Sequence, residues 1–264
     1  MILDIVAYLG HWPFRKLGCA NAAEMAAWMD KASIEKSCVS SINSVFYKDA
    51  MEGNRELMAE IAPYADRFLL FAVINPAYPG WESDFSECFD VLGMNGLELF
   101  PAYHNYTSAL PELKRLLEMA AARGIPVRLP SRLVDIRGRH WLDTPENLTP
   151  EEMESVVALC PEADFLLCSC NTASLAKRLA PLAAERKGRL FYDLARLEDC
   201  YFSHSLRALL ETAGEDRVVF GSCSPFQYPE VQELKLDLLD LAPETYEKIV
   251  SGNLYHLLRL SKGC

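Results

Sequence analysis

Short apolar runs alternate with amphipathic stretches along almost the whole chain. Eight runs read as strands: 2–8 (ILDIVAY), 37–45, 68–74 (FLLFAVI), 96–100, 125–129, 164–170, 189–194 and 217–222. Between and after them, helices are predicted at 21–32, 54–65, 108–123, 149–160, 174–187, 203–214, 229–241 and 243–259. The stretch 108–123 shows the period most clearly. Leu113, Leu116, Leu117 and Ala120 share one helical face, while Lys114, Arg115 and Glu118 turn outward. Gly124 then supplies a stop, and Pro126 opens the next strand. At the next helix, Thr149-Pro150-Glu151-Glu152 reads as an N-cap, a proline at the first helical position and acids in the first turn.

Eight strands alternating with helices predict a parallel sheet. Near-continuous apolar strands suit a sheet covered on both faces. With eight strands and no G-x-G-x-x-G after an early one, closure into an α/β (β/α)8 TIM barrel is preferred to an open doubly wound sheet. A length of 264 residues suits one such domain over 1–264, with extra C-terminal helices; barrels of this kind need about 250. The longest irregular stretch is 131–148 (SRLVDIRGRHWLDTPENL), and a loop of that length inside a barrel points to function.

Charge narrows the partners. Lys and Arg total 26 against 37 Asp and Glu, a net −11, which argues against nucleic acid and anionic membranes. No apolar run is long enough to span a bilayer. The start lacks a basic region, and Asp4 interrupts its apolar stretch, so it does not read as a signal peptide. Nine scattered cysteines read as reduced thiols in a cytoplasmic protein. A homo-oligomer is left open.

Several segments, in order, resemble the amidohydrolase superfamily in its branch of small barrels. They are LDIVAYLGHWPF at strand 1, NPAYPG…GLELFPAYHNY over 75–106, DRVVFGSCSPFQYPE over 216–230 and EKIVSGNLYHLL over 247–258. The resemblance implies a metal at the C-terminal mouth of the barrel, held by two His from strand 1, one His each from strands 5 and 6, and an Asp from strand 8. Here the corresponding positions carry Val6 and Tyr8, Arg128 and Pro130, Cys168 and Cys170, and Cys223. Zinc needs about three or four N, S or O donors, so no catalytic metal or other cofactor is expected. A metal-lacking subset of the superfamily is also similar to this chain. Its signatures are matched by Trp12-Pro13-Phe14, by Tyr103-His104-Asn105-Tyr106, and by Asp135, Arg137 and His140. A lactonase class of the superfamily sets a precedent for hydrolysis without metal.

The candidate chemistry gathers after the strand ends, where barrel active sites are built. His104 and His140 are the acid/base candidates, with Asp135 to orient His140 or act itself, and Arg137 completes the catalytic group. Arg128, Arg132 and Arg137 form a cationic group suited to a small anionic molecule. The structural alternative is ion pairing with Asp135 or Glu98. Tyr8, Tyr103 and Tyr106 are candidate hydrogen-bond donors to a ligand, and Trp12 and Phe14 an apolar wall; plain packing is the alternative. Cys223 is a substrate-site or nucleophile candidate, and Cys168, Cys170 and Cys223 a conceivable soft-metal set. The leading expectation is a metal-independent hydrolase or related lyase acting on a small anionic compound. A catalytically inactive barrel that binds a ligand or partner is the alternative, and a metal-dependent hydrolase is third. Side chains converging on an open polar pocket favour the enzyme; a mouth plugged by Tyr8, Trp12 and Phe14 favours the inactive barrel.

Overall fold

A computed structural model describes residues 2–195 and 202–260. Eight parallel strands join in one sheet in sequence order. They are β1 (Ile2–Leu9), β2 (Ile34–Ser41), β3 (Phe68–Val73), β4 (Gly96–Glu98), β5 (Val127–Pro130), β6 (Phe165–Cys168), β7 (Leu190–Asp193) and β8 (Val218–Val219). The segment around and after β8 returns to β1. Ile5 N donates to Phe220 O, Cys223 N to Val6 O and Tyr8 N to Ser224 O, at 2.8–3.0 Å. These bonds close the expected barrel.

The described helices are α1 (Ala22–Lys31), α2 (Ile42–Phe46), α3 (Ala50–Ile61), α4 (Trp81–Ser86), α5 (Pro111–Arg123), α6 (Pro150–Ala158), α7 (Thr172–Glu185), α8 (Phe202–Ala213), α9 (Pro229–Asp237), α10 (Pro243–Glu247) and α11 (Asn253–Leu258). None is long and apolar enough to cross a membrane. On α5, Leu113, Leu116, Leu117 and Ala120 are fully buried, and Gly124 ends the helix at φ +64°. Thr149 and Glu152 cap α6 reciprocally.

Of the boundaries that differ from the sequence reading, two have a local cause in a single capping side chain. The second strand occupies 34–41 rather than 37–45, because the Ser41 side chain accepts from Ser44 N at 3.1 Å and turns the chain into α2. The third helix starts at Ala50 rather than 54, with Asp49 accepting from Met51 N. At β4, Gly96 leaves room for the Phe71 ring, which a Cβ would meet at 2.3 Å. The hydrophobic core has two parts. One fills the space between strands and helices, and the other fills the lumen and mouth around Val6, Tyr8, Phe71, Phe191 and Cys223. The expected thiols at Cys200 and Cys264 lie outside the described residues.

Candidate functional site

The lumen holds the first surprise. Charged residues in mid-strand are rarely buried without a partner. Glu98 and Arg128 are direct register partners on β4 and β5, and both are fully buried. Arg128 Nη2 lies 2.6 Å from Glu98 Oε2 and donates to Ser40 Oγ at 2.9 Å. Its Nη1 donates to the carbonyls of Ile5 (2.5 Å) and Cys38 (3.0 Å). The Tyr8 hydroxyl donates to Glu98 Oε1 at 3.1 Å, and the Ser40 hydroxyl donates to Glu98 Oε2. The expectation that Arg128 joins Arg132 and Arg137 in a cationic group for an anionic molecule is therefore corrected, because its inward position on β5 commits the guanidinium to Glu98. The pairing with Glu98 weighed as the structural alternative is what the fold makes.

These residues do not fit the divalent metal that the resemblance implies. Val6 offers no donor, Tyr8 is engaged with Glu98, and a guanidinium occupies the same lumen. Among the described residues no group of three or more His, Cys, Asp or Glu is arranged to hold a metal ion. Cys168 and Cys223 are fully buried in the lumen cluster, whereas Cys170 packs against the outer core. Burial pushes the Cys168 and Cys170 thiols well up, so neither is a ready thiolate. Cys223 has φ +58°, and its Sγ lies 3.7 Å from Ser169 Oγ, within packing and away from any open surface.

Above the lumen, aromatic rings close the mouth. Trp12 is the hub, with ring centroids 5.1 Å from Phe14, 5.5 Å from Phe46 and 5.0 Å from Phe226. Phe226 also meets Tyr8 at 5.7 Å, and Phe46 meets Tyr103 at 5.7 Å. His140 stacks on Phe14 at 5.6 Å. Tyr8 and Trp12, expected at a ligand, are thus buried packing residues, and Tyr106 is buried as well.

The four proposed catalytic residues separate. His104 is partly buried, with Nε2 3.3 Å from the Ser44 carbonyl and Nδ1 out of solvent. Burial pushes its pKa down to about 4, so it is neutral near pH 7. His140 is exposed on the long loop, and its Nδ1 accepts from Leu142 N. Asp135 and Arg137 do come together: Arg137 donates through Nε and Nη2 to the two Asp135 oxygens, each at 2.9 Å. Arg132 Nη2 lies 3.7 Å from the same carboxylate. The grouping with the histidines is corrected, because the turn after β4 directs His104 toward α2 while the loop after β5 carries His140 out to Phe14.

Loop 131–148 is pinched at its neck by Leu148 N to Ser131 O (2.9 Å) and Ser131 Oγ to Leu148 O (2.8 Å). Beside it, a cavity of about 490 Å³ opens between the ends of β5 and β6. Arg132, Asp135, Arg137, Thr149, Asn171 and Ser174 are among its lining. A second, much smaller space of about 20 Å³ shares Arg132 and adds Tyr103, Arg139 and Asp143. That is room for about one water. Asp143 is buried; Oδ1 accepts from the Tyr103 hydroxyl at 3.0 Å, while Oδ2 has no hydrogen-bond partner among the described residues. Desolvation pushes its pKa up, opposed by Tyr103, Arg139 and His140. Sequence reasoning missed Asp143 and Arg139, although both lie in the loop it singled out. Tyr103→Phe is expected to cost about 1.5–3 kcal/mol, the range for a hydrogen bond to a charged group. Urea unfolding checks this; a change near zero would mean that Tyr103 does not tie down the loop.

The amidohydrolase family model matches residues 43–260. None of the curated proteins matches the chain. Among solved structures, a Staphylococcus aureus protein provisionally classed as an amidohydrolase superposes with TM-score 0.77 at 17% identity, covering 98% of this chain and 99% of that one. The 2,6-dihydroxybenzoate decarboxylase from Rhizobium gives 0.71 at 16%, covering 98% of each. Dihydroxybenzoic acid decarboxylase from Polaromonas, with bound manganese and 2-nitroresorcinol, gives 0.70 at 15%, covering 99% of this chain and 98% of that one. At these identities the superpositions speak for the fold alone. The family match spans well over half of the sequence, and the chain belongs to the amidohydrolase family.

Proposed function

We propose that this chain is a metal-independent member of its family that binds a small anionic compound at the rim of the barrel mouth. The observation that carries this reading is the cavity between the β5 and β6 ends, with Arg132 and Arg137 in its lining. Its size falls in the range of about 300–1,000 Å³ typical of small-molecule sites. Guanidinium forks match carboxylates and phosphates, and Asp135 holds the forks in place until an anion competes for them. The aromatic layer over the lumen favours binding here rather than inside the barrel. Two of the structural neighbours are decarboxylases of carboxylated aromatics, which makes an aromatic carboxylate the first class to test.

Hydrolysis or a lyase reaction on the same compound is the second reading. It is favoured by the buried Asp143–Tyr103 pair, which lies beside the cavity through the shared Arg132.

Thermal shift with aromatic carboxylates, dicarboxylates, lactones and phosphate esters tests the binding. A ligand at 100 times its dissociation constant adds about 2.7 kcal/mol. Arg132→Ala and Arg137→Lys are expected to weaken the best anion roughly tenfold, about 1.4 kcal/mol. Unchanged affinity in both variants, or no stabilising anion, sinks the reading. Product formation from a bound compound, lost in Asp143→Asn, would promote the second reading over simple binding.

A further inference from the structure

We infer that the barrel lumen is a built site for a guanidinium cation, with Arg128 as its permanent occupant, and that the site accepts a free guanidinium ion in preference to a divalent metal when that side chain is truncated. The geometry is specific to a planar cation. Acceptors from three strands converge on its edge: Ile5 O from β1, Cys38 O and Ser40 Oγ from β2, Glu98 Oε2 from β4, around a side chain borne by β5. Its faces meet rings, with the guanidinium carbon 4.5 Å from the Phe71 centroid and 5.5 Å from that of Tyr8. A π face attracts a weakly hydrated planar cation and gives a divalent metal no ligand.

Charge balance points the same way. Glu98 supplies one negative charge, which neutralises a monovalent ion but leaves a divalent ion with an uncompensated buried charge. Of the other buried carboxylates, Asp193 on β7 accepts from Ser169 N at 3.2 Å, and Asp4, near Arg128, is already committed. Its oxygens accept from Val6 N (3.1 Å), Ser222 N (2.8 Å) and Ser222 Oγ (2.6 Å). Arg128 is thus a positioning residue that ties four strands together beneath the mouth. This inference is independent of any ligand at the rim, and either can fail alone.

The test uses the full chain with Arg128→Ala. Guanidinium chloride and methylguanidinium, far below denaturing concentrations, are titrated against sodium chloride of equal ionic strength, manganese and zinc. Expected is a saturable rise in the melting temperature of the variant with the guanidinium ions. No rise is expected with sodium or either metal, in the wild type, or in Arg128→Ala/Glu98→Gln. A metal-specific rise in the wild type or the variant overturns the inference, as does a folded variant that no guanidinium stabilises. If Arg128→Ala does not fold, Arg128→Met is compared with Arg128→Met/Glu98→Gln. The double variant should melt higher, because it no longer buries a carboxylate without its cation. A double variant that melts at or below the single one overturns the inference.

Discussion

Trp12→Ala is expected to cost about 3–5 kcal/mol, the range for removing a large buried aromatic. Trp12 is 4% exposed and touches three of the rings that close the mouth. Truncation removes its buried area and the edge-to-face contacts, which are worth roughly 0.5–1.5 kcal/mol each beyond area. Trp12→Phe keeps an aromatic at the hub and should lose less. Denaturant unfolding of both variants reads the effect, and a loss below about 1 kcal/mol for the alanine variant would contradict a packed aromatic layer. The same variant separates the two places a ligand can sit. None of the rings lines the rim cavity, so an anion bound at the rim should keep its affinity in Trp12→Ala within about twofold, since distant sites act nearly additively. A tenfold loss would place the ligand under the aromatic layer instead.

Acidification from pH 7 to pH 4 should move the stability of two single variants in opposite directions, while the wild type changes little from these two groups. His104 is pushed down to about 4 in the folded chain, below its ordinary 6.5. The unfolded chain therefore binds the extra proton first. Stability is lost as pH falls through 6.5, and the loss is complete below about 4. At 1.36 kcal/mol per pKa unit this is on the order of 3 kcal/mol. Asp4 is pushed up to about 6 by burial, against an ordinary 3.8. Here the folded chain binds the proton first, so stability is gained as pH falls from 6 toward 3.8, by a similar amount. The two effects oppose. His104→Gln removes the loss and should gain stability toward pH 4, relative to the wild type. Asp4→Asn removes the gain and should fall more steeply. Urea unfolding at pH 7 and pH 4 measures both, and parallel profiles for the three proteins would show that neither group titrates as its burial demands.

Legibility in the sequence differed between fold and site for a physical reason. The barrel rests on period: the α5 leucines, the apolar β3 and the Thr149–Glu152 cap are local patterns, and each formed where it was read. Boundaries slipped where one side chain redirected the chain, as Ser41 did at the end of β2. The site depended on direction. Arg128 and Arg132 are four residues apart in one motif, yet the pleat turns the first into the lumen toward Glu98, and the chain leaving the strand carries the second to the rim. A lone charge in each of two apolar strands, Glu98 in GLELF and Arg128 in IPVRLP, was the available signal for a buried pair.

By itself the sequence determined the eight-fold alternation, the family, and the absence of the histidines from the strand-1 positions and of the aspartate from the strand-8 position, because these are properties of residue type and spacing. Only the tertiary structure decided that Arg128 and Glu98 neutralise each other inside the barrel, that Trp12 and its neighbours cover them, and that Asp143 meets Tyr103 across two loops. Those outcomes depend on which residues distant in the chain become neighbours when the barrel closes. A buried charge must find its partner among whatever the closure brings within reach.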